Sequence, residues 1–168
     1  GHFEKFGTRF VMKSTGQIET QRESSGLDAL SSAADVLDQG RALGIFPEGT
    51  RSKRTDAPFL LPGKTGVARL AASYPECVVV PIAMKGTRAM MEPQKHKLPR
   101  LYKRVTIQSG EGVTWYQWLT DVNGGNQSAT SLKALAEKEE HEIRSELAAL
   151  YRRFTDQLMG SILALGAP

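Results

Sequence analysis

Residues 44–52 read Gly44-Ile45-Phe46-Pro47-Glu48-Gly49-Thr50-Arg51-Ser52. The compact apolar run Ala42–Phe46 predicts a buried strand, and Pro47, with no N–H to offer a ladder, ends it. Such a strand delivers Glu48, Gly49, Thr50 and Arg51 together at its carboxyl end, the edge where open α/β sheets bind ligands. Gly49 has no Cβ, so the backbone there can approach a ligand closely. Arg51 presents a planar fork of donors suited to phosphate oxygens. Glu48 can accept from a hydroxyl or hold a neighbouring arginine, while Lys53, Arg54 and Lys64 add positive charge. A strand followed by a solvated turn would account for the same residues without any ligand.

Outward from this point, strands and helices alternate. Before it, Lys5–Ser14 predicts a short amphipathic helix with Phe6, Phe10 and Val11 on one side and Gly16 as its C-cap. Ile18–Arg22 reads as a short extended piece. Ser24, Ser25 and Gly26 offer a helix start, and Leu27, Leu30, Ala34 and Leu37 keep one face through to Gly40. After it, Gly66–Ser73 reads as a helix stopped by Tyr74-Pro75, and Val78–Met84 as the strongest strand in the chain. Arg104–Gln108 predicts a shorter strand, and the Gly/Asn-rich residues 122–129 a loop. From Ser131 to about Leu163 a single long helix is predicted, with Leu132, Leu135, Ile143, Leu147, Leu150, Phe154, Leu158 and Ile162 on its apolar face. The expectation is one α/β domain over residues 1–168 with a largely parallel sheet flanked by helices, Ala42–Phe46 and Val78–Met84 being neighbouring parallel strands.

The composition is that of an ordinary globular chain: 168 residues, 40% hydrophobic, 24% charged. One cysteine, Cys77, excludes an internal disulfide and reads as a buried thiol beside Val78–Val80. No His/Cys cluster suggests a metal. No run of about 20 apolar residues predicts a membrane span, and Gly1-His2-Phe3 does not start like a signal peptide. A cytoplasmic location follows as the expectation, with membrane contact at the surface. The net charge of +4 hides an uneven distribution. Residues 51–104 hold twelve Lys/Arg against three Asp/Glu, whereas 1–50 hold five against seven and 105–168 five against eight. The central block implies an anionic partner.

Phe46-Pro47-Glu48-Gly49-Thr50-Arg51-Ser52 resembles the third conserved motif of the 1-acylglycerol-3-phosphate acyltransferases, also called lysophospholipid acyltransferases. Gly63-Lys64-Thr65-Gly66-Val67-Ala68-Arg69-Leu70 looks like the helix that follows that motif, and Val79-Val80-Pro81-Ile82-Ala83-Met84 like the fourth motif. Gly16-Gln17-Ile18 with Arg22 resembles the second, although Gln21 stands where the family has an aspartate. The resemblance implies transfer of an acyl group from acyl-CoA or acyl carrier protein to a lysophosphatidate-like hydroxyl, in phospholipid biosynthesis, with no resident cofactor or metal. It further implies that Arg22 and Arg51 clamp the acceptor phosphate, with Glu48, Gly49 and Thr50 at the pocket edge and Lys64 a weaker member.

The family's first motif, a His-x-x-x-x-Asp pair supplying the general base and its orienting carboxylate, has no counterpart in these residues. His2 is followed at that offset by Gly7, His96 by Leu101 and His141 by Glu146. The last pair falls in the long helix, where five residues separate side chains by about 140°. A chain truncated at its N-terminus is the resulting expectation. Two other classes fit part of the sequence: a non-catalytic phosphate- or lipid-binding remnant, favoured by the absent base, and a basic nucleic-acid-binding domain, which lacks a reading helix. Trp115, Tyr116 and Trp118 suit either a membrane interface or packing under the C-terminal helix. Lys85, Arg88, Lys95, Lys97, Arg100, Lys103 and Arg104 give residues 85–104 the charge to meet anionic lipid.

Overall fold

The computed structural model describes residue 14 and residues 16–18, 26–92 and 98–168. They fall into two compact units, Gly1–Ile45 and Phe46–Pro168. In the first, Ser14 is helical and Gly16 takes a left-handed conformation (φ +72°), as a C-cap glycine does. The rest of the helix predicted over residues 5–14 lies outside the described residues, as do positions 19–22. Helix α1, Gly26–Asp38, carries Asp28 in its first turn, where a carboxylate offsets the positive end of the helix dipole. It closes in a Schellman motif: Gly40 (φ +67°) donates to the Leu37 carbonyl at 2.8 Å and Arg41 to that of Val36 at 3.2 Å.

The second unit is built on three helices. Helix α2, Gly66–Ser73, buries Val67, Ala68, Leu70 and Ala71, the stripe that its 3.6-residue period places on one side. Helices α3 (Thr87–Met90) and α5 (Ala129–Ala136) are peripheral and bury nothing. Helix α4, Trp115–Thr120, starts at a capping box in which the Thr114 hydroxyl accepts from Gln117 N–H and the Gln117 side chain accepts from Thr114 N–H. Helix α6, Glu140–Ala164, buries Leu150, Phe154, Thr155, Leu158, Met159 and Ile162. It ends in a second Schellman motif, Gly166 donating to Leu163 and Ala167 to Ile162. Trp115 and Trp118 are buried against Phe154, with ring centroids 5.3 and 5.0 Å away, so they pack beneath the C-terminal helix; Tyr116 is exposed.

Several expectations require correction. The largely parallel sheet is not observed: both ladders among the described residues are antiparallel and two-stranded. Strand β1 (Val78–Val79) pairs with β4 (Val113–Thr114), and β2 (Ile82–Lys85) with β3 (Thr106–Ser109). Pro81 divides the predicted strand Val78–Met84, since it has no N–H to continue a ladder; its carbonyl instead accepts from Gly110 N–H at 2.9 Å. Residues 42–46 form no strand, so the parallel pairing with Val78–Met84 is absent as well. An apolar run becomes a strand only where a partner edge satisfies its backbone, and Phe46 is 69% exposed rather than buried. The single helix predicted from Ser131 breaks at residues 137–139, where Glu139 is extended (ψ 147°). Between Ala136 and Ile143 no apolar side chain could hold a continuous helix on the core. Cys77 is free but only half-buried.

Candidate functional site

Phe46 and Pro47 lead into a tight turn closed by a hydrogen bond from Gly49 N–H to the Phe46 carbonyl at 3.0 Å. Gly49 is left-handed (φ +66°), a conformation that costs side-chain-bearing residues. The side chain of Lys64 lies over it: a Cβ at Gly49 would stand 3.0 Å from Lys64 Cδ and 3.2 Å from its Nζ. The glycine thus serves two needs, the turn and the room for the lysine. Thr50 and Arg51 follow on the exposed side of the turn.

The chain then runs out and returns. Lys64 N–H donates to the Pro47 carbonyl at 2.8 Å, and Leu61 N–H donates to Glu48 Oε2 at 2.7 Å. Glu48 therefore clamps the two ends of this loop; its bonded oxygen holds the Leu61 backbone rather than an arginine. Replacing Glu48 with Ala should lower stability by about 1–3 kcal/mol, the range for leaving a partly buried donor unsatisfied. Thermal and denaturant melts would measure it; a change below a few tenths would show that the clamp is idle. Arg54 is likewise drawn into the loop, Nη1 donating to the carbonyls of Pro58 at 2.9 Å and Leu60 at 3.1 Å. It steadies the return path instead of standing free beside the turn.

Lys64 owes its position to helix α6. The preceding residue, Gly63, is buried, and a Cβ there would meet Thr155 Cγ2 at 2.8 Å and Met159 Cγ at 2.9 Å. Arg152 Nη1 donates to the Gly63 carbonyl at 2.8 Å. Its other nitrogens form a bidentate pair with Asp156, at 2.9 and 2.6 Å, which fixes the guanidinium plane. A helix 89 positions away thus seats Gly63, and Lys64 with it. Sequence reading did not single out Arg152 and Asp156, because an i, i+4 Arg–Asp pair looks like any solvated helix face.

The turn thus brings together Glu48, Gly49 and Lys64, with Thr50 and Arg51 beside them in sequence and open to solvent. Arg22 lies outside the described residues, as do His2 and His96. His141 is exposed on α6, and Glu146, five residues on, is paired instead with Lys138 Nζ at 3.5 Å. No group of acidic, histidine or cysteine side chains among the described residues could hold a metal. Chemically, Lys64 brings an ammonium over the turn, and Arg51, two residues after Gly49 and exposed, carries a guanidinium; both group types can donate to anionic oxygens.

A family model described as Acyltransferase matches residues 2–85, half of the chain. That span takes in the turn, Lys64 and strands β1 and β2. No match was found among curated proteins or among solved structures.

Proposed function

The chain belongs to the acyltransferase family, that of the 1-acylglycerol-3-phosphate acyltransferases, and on that premise we propose that its reaction moves a fatty acyl group to the free hydroxyl of a lysophosphatidate-like acceptor. The donor is a thioester, acyl-CoA or acyl carrier protein, and the setting is phospholipid synthesis at the cytoplasmic face of a membrane. Arg51 and Lys64 bind the acceptor phosphate, and Arg22 joins them. Gly49 and Thr50 form the edge of the pocket, while Glu48 keeps the turn closed around it. What chiefly supports this reading is that the family match covers a turn in which Lys64 lies over Gly49, two residues before Arg51 in sequence.

The same residues support a second reading, a phosphate- or lipid-binding module without turnover, because no histidine in these 168 residues starts a His-x-x-x-x-Asp pair. Both readings share the phosphate site, so its test comes first. Arg51→Ala should weaken binding of lysophosphatidate by about 1.5–3 kcal/mol, as expected for a lost charge-assisted hydrogen bond. Lys64→Ala should weaken it by a smaller amount, and calorimetric titration would read both. Unchanged affinity in Arg51→Ala would remove the assigned role of the turn.

A further inference from the structure

Residues 100–103 form a turn closed by Lys103 N–H donating to the Arg100 carbonyl at 3.0 Å. Its two corner positions are Leu101 and Tyr102, 82% and 77% exposed, and Leu98 just before it is 79% exposed. Turn corners usually carry Gly, Asn, Asp or Pro, whose local chemistry suits the bend. Two large apolar corners are a departure that the turn itself does not need. Nor is the turn loosely attached. Arg100 N–H donates to the Met90 carbonyl at 2.9 Å, and Arg100 Nη2 to that of Ala89 at 2.5 Å. At the other end the Arg104 carbonyl packs on Gly86, so closely that a Cβ there would collide with it. The fold holds the two corner side chains out in solvent on a braced support, with Leu98 exposed just before it.

Charge surrounds them. Lys103 and Arg104 are exposed, and Lys103 Nζ lies 5.2 Å from the centre of the Tyr102 ring. Leucines flanked by cations, with a tyrosine between the two, suit one environment better than any other. The apolar groups favour the acyl boundary, the phenol favours the headgroup level, and the cations favour anionic headgroups. A protein partner would need a defined apolar pocket; a bilayer needs only depth and negative charge. No helix among the described residues is long and apolar enough to cross a membrane, so attachment through this turn would be from one side.

We propose that the turn at Leu98–Arg104 is a wedge that docks the chain on an anionic bilayer, Leu98, Leu101 and Tyr102 entering the headgroup region while Lys103 and Arg104 meet lipid phosphates. The choice of a bilayer as partner rests on the lipid-acceptor reading above. The test contains neither acyl donor nor acceptor, so the two readings fail separately.

The full chain is sedimented with vesicles of phosphatidylcholine alone or with phosphatidylglycerol added. Binding is expected to the mixed vesicles and to fall with salt. Leu98→Ala and Leu101→Ala should each lower the partition coefficient about tenfold, and Lys103→Glu about fivefold. These side chains are exposed, so the variants keep the wild-type melting temperature. Tyr102→Trp adds a reporter, because Trp115 and Trp118 are buried; brominated acyl chains should quench the introduced indole on binding. Equal binding to neutral vesicles, retention of full affinity in the leucine variants, or no quenching in the Tyr102→Trp variant would each overturn the proposal.

Discussion

Phe154→Ala is expected to lower the free energy of unfolding by about 3–5 kcal/mol, the usual cost of removing a buried phenyl group. Phe154 is 2% exposed and stands at the centre of the core that α6 makes with α2 and α4. Its ring meets Trp118 edge-on at 5.0 Å and Trp115 at 5.3 Å, and such pairs add to the stabilisation that burial alone confers. Collapse into the cavity is hindered because the Trp118 indole is itself fixed, donating to Gln157 Oε1 at 2.5 Å. A guanidinium titration followed by tryptophan fluorescence would read the change directly. Ser145→Ala, on the exposed side of the same helix, should stay within about 0.5 kcal/mol. A loss below about 1 kcal/mol for Phe154→Ala would mean that the core is not organised around this ring. The effect should also reach the candidate site, since Arg152, Thr155 and Met159 on either side of Phe154 seat Gly63 and hence Lys64.

What could be read in advance follows from how local each signal is. Helices α1, α2 and most of α6 carry their evidence within themselves: an apolar stripe at 3.6-residue spacing, with Gly40 stopping α1 and Tyr74-Pro75 stopping α2. Gly40 does take a positive φ at the end of α1. Strands carry no such proof, because a ladder needs a second segment whose identity lies elsewhere in the chain. Ala42–Phe46 and Val78–Met84 are apolar alike, yet the first makes no ladder and the second is divided by Pro81 between two. The break before α6 was hidden because Leu135 and Ile143 keep helical spacing across the charged residues between them. At the candidate site Phe46–Arg51 was legible as a strand end followed by a glycine whose backbone can come close to something, which the sequence alone suggested was a ligand. That the something is the Lys64 side chain, and that Arg152 seats it, depends on loop return and long-range packing, which no spacing rule encodes.

The chain of 168 residues, given lysophosphatidate and an acyl-CoA, is expected to bind the acceptor but to release thiol at a rate depressed by at least the factor of about 10²–10⁴ that general-base assistance supplies. The attacking hydroxyl is a poor nucleophile while it keeps its proton, and a neighbouring imidazole both removes that proton and holds the oxygen against the thioester carbon. Nothing in residues 1–168 offers that pairing in the family's spacing. His141 is the one histidine among the described residues, and it is exposed on α6 with Glu146 turned to Lys138. On the proposed reading the cations around Gly49 would hold the acceptor without deprotonating it, so binding and turnover should come apart. Thiol release can be followed with a chromogenic disulfide after allowing for the single thiol of Cys77. His2→Ala, His96→Ala and His141→Ala should leave the residual rate unchanged. Turnover at ordinary enzyme rates, lost in any one of these three, would identify the true base and overturn the assignment. Fusing a segment that carries a His-x-x-x-x-Asp pair ahead of Gly1 should restore the rate. In that fusion Arg51→Ala should lower kcat/KM by the same factor by which it weakens acceptor binding, because a phosphate clamp that acts equally on bound substrate and transition state moves KM and leaves kcat in place.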